Sequence, residues 1–133
     1  MAKYLLDTHT WIWWHMAPDR LGSRALTRIR DIKRREELLL STISVWEVCK
    51  LVEYKRLQIT CDALSWVTQA LAIPGLRKVE LTSEISYQST TLPGEFHRDP
   101  ADQIIVATAR TEGALILTND KLIQRYDQVR CEW

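Results

Sequence analysis

The stretch His97-Arg98-Asp99-Pro100-Ala101-Asp102, continued by Gln103-Ile104-Ile105-Val106-Ala107-Thr108-Ala109, packs a helix start and two carboxylates into its first six residues. A Pro at the first helical position, an Asp before it placed to cap, and an acid three residues after the cap form a strong start signal. It predicts a helix from Pro100. Ile104, Ile105, Thr108 and Ala109 then recur at helical spacing up to a stop at Gly113, after which Ala114-Leu115-Ile116-Leu117 reads as a buried strand. Both acids therefore stand at the mouth of a packed helix.

The same alternation extends outward along the chain. Lys3-Tyr4-Leu5-Leu6 is a strand that stops at Asp7-Thr8 and leads through a loop into a helix carrying Trp11, Ile12 and Trp14. Ser23 to about Arg35 reads as an amphipathic helix, with Ala25, Leu26, Ile29 and Ile32 inward and Arg24, Arg28, Arg30, Arg34 and Arg35 outward as a solvated face. Leu38-Leu39-Leu40 is a second buried strand. Ser44 is the expected cap of the helix that follows, which carries Val45, Trp46, Val48, Leu51 and Val52. A further helix is expected from Cys61-Asp62-Ala63 to about Ile73, then an edge strand over Lys78-Val79-Glu80-Leu81 and a short helix capped by Thr82 or Ser83. Asp120 opens a helix through about Tyr126, and Val129-Arg130-Cys131 is a last weak strand. Strands that are apolar on both faces and alternate with helices predict an α/β fold, a mostly parallel sheet covered on both sides.

Length and composition set the bounds. The 133 residues are expected to form one domain, 1–133, large enough for a core without disulfides. A net charge of +1 argues against both a basic nucleic-acid tail and an acidic solvating segment. Cys49, Cys61 and Cys131 are widely spaced with no CxxC, and read as reduced, small buried residues of a cytoplasmic protein. No run approaches the ~20 apolar residues that a membrane span requires.

In such a sheet, helix N-termini and strand C-termini share one edge, where sites are built. Asp7, Glu47, Asp99, Asp102 and Asp120 all map to it, from four separate segments. Each acid alone is explained by helix capping: Ser44 with Glu47 is a capping box, and Asp99, Asp102 and Asp120 favour the positive ends of their helices. Together they are not. Two carboxylates ~4 Å apart repel by about 4 kcal/mol at an effective dielectric near 20, while a helix dipole returns ~0.3–1 kcal/mol. Clustered acids call for a cation, and oxygen-only ligands select Mg²⁺ or Mn²⁺ over zinc. His9, His15 and His97 are too scattered for a ligand set and read as surface or packing residues. A metal held by carboxylates suits phosphodiester chemistry, and the absence of a glycine-rich phosphate loop argues against a nucleoside triphosphate. Arg34, Arg35, Lys50, Lys55 and Arg56 are candidates to track a nucleic-acid backbone, and exposed Trp or Tyr to stack on its bases.

These residues resemble the PIN-domain family, and within it the VapC-type ribonuclease toxins of toxin–antitoxin pairs. The resemblance spans almost the whole chain. It rests on Leu5-Leu6-Asp7-Thr8-His9 with Trp13-Trp14, on Ser41 through Lys50 around Ser44-Val45-Trp46-Glu47, on His97 through Asp102, and on Thr118-Asn119-Asp120. It implies a three-layer α/β/α fold with a five-stranded sheet in the order 3-2-1-4-5. It also implies Mg²⁺ or Mn²⁺ held by Asp7, Glu47, Asp102 and Asp120, a homodimer, and a VapB-type antitoxin that blocks the site. Asp102, seven residues before Ala109, matches the usual family position; Asp99 is left as cap or additional ligand. The chain departs from the subgroup at Ala101, where an aromatic is usual, and at Gln103, where an Arg is usual. Thr8, Ser44 and Thr118 lie beside the acids, as helix caps or as hydroxyls that orient ligands.

The expected function is a metal-dependent endoribonuclease in which water activated by the metal cleaves RNA. One alternative keeps the fold as a catalytically weak binding module that acts through its partner. Another, a phosphotransfer protein with Asp7 as nucleophile, lacks the second Asp two residues on that such phosphatases carry. The tryptophans at 11, 13, 14, 46, 66 and 133 suit either a core or a partner surface.

Overall fold

Tyr4, Leu5 and Leu6 leave no polar face, so the first strand is stable only where both faces are covered, and it lies at the centre of the sheet. The computed structural model describes residues 2–133. Its sheet comprises β1 (Lys3–Leu6), β2 (Glu37–Ser41), β3 (Leu76–Val79), β4 (Leu115–Leu117) and β5 (Cys131–Glu132). The order is β3-β2-β1-β4-β5, as the resemblance implied, and every pairing is parallel. Leu5 sits opposite Leu39 on one side and Ile116 on the other, which aligns their side chains on one face.

Alternation along the strands divides the core. Tyr4, Leu6, Leu38 and Leu40 pack with Trp11, Ile12, Ala25, Ile29, Val48 and Val67, under α1 (Thr8–Met16), α2 (Ser23–Arg30), α3 (Ile43–Glu53) and α4 (Ala63–Leu71). Leu5, Leu39 and Ile116 pack instead with Ile85, Ile105, Val106 and Ile123, under α5 (Ser83–Ser89), α6 (Pro100–Glu112) and α7 (Lys121–Gln124). The result is three layers with the sheet in the middle. No helix among the described residues is long and apolar enough to cross a membrane.

The helix predicted at Pro100 runs to Glu112, with Asp99 capping through the Asp102 N–H and Gly113 closing it at φ 66°. Its inward face is wider than the predicted stripe, because Ala101, Val106 and Ala107 are buried as well. Thr82 caps α5 through the Ile85 N–H, as expected.

Several boundaries differ. No loop separates β1 from α1, since Asp7 itself caps the helix. α2 ends at Arg30 rather than near Arg35, and α7 ends at Gln124 rather than Tyr126. β3 lies two residues earlier than predicted, and β5 falls at Cys131–Glu132. The cysteines are not the buried residues expected: Cys49 on α3 and Cys61 before α4 are exposed, and Cys131 is half-buried. Arg28 leaves its solvated face to grip Glu132 with two nitrogens, at 2.8 and 3.1 Å.

Candidate active site

Asp7 is a buried carboxylate, 8% exposed, at the point where β1 becomes α1. Its Oδ1 accepts the Thr8 N–H at 2.8 Å and its Oδ2 accepts the Thr118 hydroxyl at 2.6 Å. Thr118 follows β4 and is fully buried, so a hydroxyl from one strand end fixes the acid of its neighbour. Burial raises the Asp7 pKa, Asp120 adds to the rise, and the two hydrogen bonds and nearby His9 oppose it.

Ser44 is not the cap of α3. The helix starts two residues earlier than that cap would place it, at Ile43, where the Ser41 Oγ accepts the Ile43 N–H. Ser44 is thus inside the first turn and fully buried, and its hydroxyl meets the Thr8 hydroxyl at 2.8 Å. Thr8 in turn donates to the Glu47 carboxylate at 2.5 Å. The capping box expected at Ser44 and Glu47 is replaced by a chain, Ser44–Thr8–Glu47, that joins α3 to α1. Burial pushes Glu47 up to about 7, with Asp7 and Asp99 adding to the rise and the Thr8 hydroxyl holding it back.

Asp102 stands in the first turn of α6. Burial, then the charges of Asp7, Asp99, Asp120 and Glu47, push it up to about 8. Four other carboxylates thus bear on Asp102. Asp99 is exposed and spends its Oδ1 on the Asp102 N–H at 3.0 Å, a capping bond. Asp120 caps α7 through the Leu122 and Ile123 N–H groups, and its own N–H donates to the Thr118 hydroxyl at 2.9 Å.

The structure therefore brings together all five acids predicted to share the edge, with Thr8, Ser44 and Thr118 among them. Asp7 and Asp120 also line a cleft of about 260 Å³ with His9, Thr10, Trp13 and Asn119. Among the described residues, no three His, Cys, Asp or Glu side chains close into a ready metal cage. Two acids are turned to other partners, Glu47 to Thr8 and Asp102 toward His97. The donor chemistry nevertheless fits a hard divalent cation, since it offers carboxylate and hydroxyl oxygens only, and burial raises Glu47 and Asp102 to about 7 and about 8, the sign of buried carboxylates without a counter-charge.

His97, which by its spacing reads as a surface or packing residue, stands beside Asp102. Its Nε2 lies 3.1 Å from the Asp102 Oδ2, off the N–H axis, so no directed hydrogen bond forms. Its Nδ1 accepts the Asp99 N–H at 3.3 Å, and its carbonyl accepts the Gln103 amide at 3.1 Å. The signal available in the sequence was position, two residues before a capping Asp. His15, by contrast, packs on Trp11, Trp14 and Trp66 away from the acids.

A family model for the PIN domain matches residues 4–129. Ribonuclease VapC22 of Mycobacterium tuberculosis is 33% identical over 130 residues, covering 98% of this chain and 96% of that protein. Among solved structures, VapBC2 from Rickettsia felis, bound to a DNA fragment from its promoter, superposes with a TM-score of 0.72 at 16% identity, covering 98% and 97% of the two chains. FitAcB from Neisseria gonorrhoeae superposes with a TM-score of 0.68 at 19% identity, covering 96% and 95%.

Proposed function

The chain belongs to the PIN-domain family, and from that premise we propose that it is a divalent-metal-dependent endoribonuclease, the toxin of a type II toxin–antitoxin pair. The observation that carries the reading is the convergence of Asp7, Glu47, Asp102 and Asp120 on one sheet edge, where burial first, and then the charges of Asp7, Asp99, Asp120 and Glu47, raise Asp102 to about 8. A protein that used these acids only as helix caps would have no need to bring them within reach of one another.

Asp7, Glu47, Asp102 and Asp120 would hold Mg²⁺ or Mn²⁺. When bound, such an ion neutralises phosphate oxygens and makes water nucleophilic at neutral pH. The chain's own groups hold the acids ready: Thr118 and the Thr8 N–H orient Asp7, and Thr8, backed by Ser44, orients Glu47. Asp99 acts as a positioning residue that sets the first turn from which Asp102 projects. In the cleavage itself, water adds to phosphorus, the bond to the 3′ oxygen breaks and that oxygen takes up a proton. The products carry a 5′ phosphate and a 3′ hydroxyl.

The name of the Mycobacterium tuberculosis relative supports ribonuclease chemistry, and the toxin–antitoxin complexes among the structural neighbours support a VapB-type antitoxin as partner. We further propose a cytoplasmic homodimer of one domain each, residues 1–133. The test is cleavage of total RNA by the purified chain in Mg²⁺, Mn²⁺ or EDTA, beside D7N and D102N. Metal-dependent fragments that vanish in both variants are expected. Full activity in a clean D7N preparation would refute the mechanism.

A further inference from the structure

Trp46 is the residue before Glu47, and it is 53% exposed although nothing in its size favours exposure. Four residues along α3 stands Lys50, and four further Tyr54, 62% exposed, so the three share one face at successive turns over about 12 Å. The Lys50 ammonium lies 5.9 Å from the centre of the Trp46 ring and 5.2 Å from that of Tyr54. One of its three protons goes to Glu53 at 2.8 Å. Lys55 and Arg56 follow, both exposed. At the other end, Trp46 opens on an apolar cleft of about 320 Å³ with Thr42, Ile43, Leu81, Pro100 and Ala101. The Ala101 methyl leaves that cleft open, and Pro100 and Ala101 lead directly into Asp102.

We propose that the Trp46–Lys50–Tyr54 stripe, with its apolar cleft, is the track on which single-stranded RNA stacks as it enters the acid site. The proposal rests on the ribonuclease reading above. Flat rings stack on any base, an ammonium between them donates to the linking phosphate, and the basic end at Lys55 and Arg56 draws the polyanion onto the stripe. The exposed Lys55 and Arg56 carry charge complementary to RNA, and the track borders the candidate site through the cleft, whose Pro100 and Ala101 lead into Asp102. Tyr87 on α5, 65% exposed with no cation over its ring, provides the contrast.

The test is binding of a fluorescein-labelled, mixed-sequence 12-nucleotide RNA in EDTA, read by anisotropy for the wild type, W46A, W46F, Y54A, K50Q and the control Y87A. Cleavage in Mn²⁺ is measured beside it. W46A and Y54A are each expected to weaken binding by roughly 5- to 150-fold, the span of base–aromatic stacking. W46F should retain most of the affinity, K50Q should lower the salt dependence by about one phosphate, and Y87A should bind as the wild type does. Wild-type affinity in W46A and Y54A, while the wild type still cuts RNA, would overturn the track and leave the stripe to a protein partner or a second copy. A wild type that neither binds nor cuts RNA would overturn the ribonuclease reading and this proposal with it.

Discussion

The Thr8 hydroxyl donates to the Glu47 carboxylate from the first residue of α1, while touching the fully buried Ser44 hydroxyl at 2.8 Å. Both are buried, and because the Thr8 proton goes to Glu47, the Ser44 hydroxyl donates to the Thr8 oxygen, which satisfies the buried Ser44 group. Thr8→Val keeps the shape and removes the proton. We expect a loss of about 1–3 kcal/mol in stability, from the Ser44 hydroxyl left without its partner, and a fall in RNA cleavage of about 10- to 100-fold, as Glu47 loses its orienting bond. Urea denaturation and single-turnover cleavage check the two effects. Thr8→Ser should restore both, and its failure would show that the methyl rather than the hydroxyl matters.

Stability of the metal-free chain should fall as pH rises. Glu47 and Asp102 are raised to about 7 and about 8, from ordinary values of 4.5 and 3.8. Both therefore favour the protonated form in the folded state. The stability this lends is fully present below the unfolded values, near pH 4, and is lost as pH rises through 7 to 8. Thermal unfolding in EDTA should give a lower Tm at pH 8.5 than at pH 5.5, and Asp102→Asn should flatten the slope. If the acids hold Mg²⁺ as proposed, the ion at pH 8.5 should recover the loss by stabilising the folded state. A Tm that rises over this range, in wild type and variant alike, would contradict the arrangement of the acids.

What the sequence made legible, and what it hid, follows from the range of the forces involved. The start of α6 is written locally in Asp99, Pro100 and Asp102, and its stop in Gly113, so both ends were read correctly. The edge on which the acids meet follows from strand–helix alternation, which is also local. Ser44 was misassigned because a Ser followed three residues later by Glu is a capping box in isolation. Only the arrival of Thr8, at the start of α1, draws that hydroxyl inward. His97 was missed for the same reason, since its proximity to Asp102 arises from the loop that Gln103 ties back to the His97 carbonyl. The early end of α2 left no mark, as Asp31 to Arg35 contains neither Gly nor Pro.

α3 stops without a glycine. Lys55 takes the left-handed position at φ 58°, while Arg56 and Leu57 donate back to the Leu51 carbonyl at 2.8 and 3.2 Å. A side chain in that conformation costs about 1–2 kcal/mol, offset in part by the entropy a glycine would lose on folding. Lys55→Gly should therefore stabilise the protein by about 0.5–1 kcal/mol, seen as a higher urea midpoint with an unchanged slope. Lys55→Ala should bring no such gain, since it removes the charge and keeps the Cβ. Equal gains in both variants would assign the effect to charge instead of backbone.

Gly22 is required for space rather than for conformation. It caps α2 with an ordinary φ of −63°, yet a Cβ there would clash with the Trp133 carbonyl carbon and lie 2.6 Å from its ring. Trp133 packs edge-on against Trp13 at 5.8 Å, and Trp13 carries the Arg20 guanidinium at 4.4 Å and forms a wall of the cleft at Asp7 and Asp120. Gly22→Ala must displace Trp133, and the expected loss is about 1–3 kcal/mol, the usual range for overpacking. The near-ultraviolet circular dichroism of the tryptophans should change with it. Part of the clash is with backbone, so Trp133→Ala should relieve the Gly22→Ala defect only in part, and the two losses should not add. Full additivity would show that Trp133 does not rest on Gly22, and would remove the link from α2 to the wall of the acid cleft.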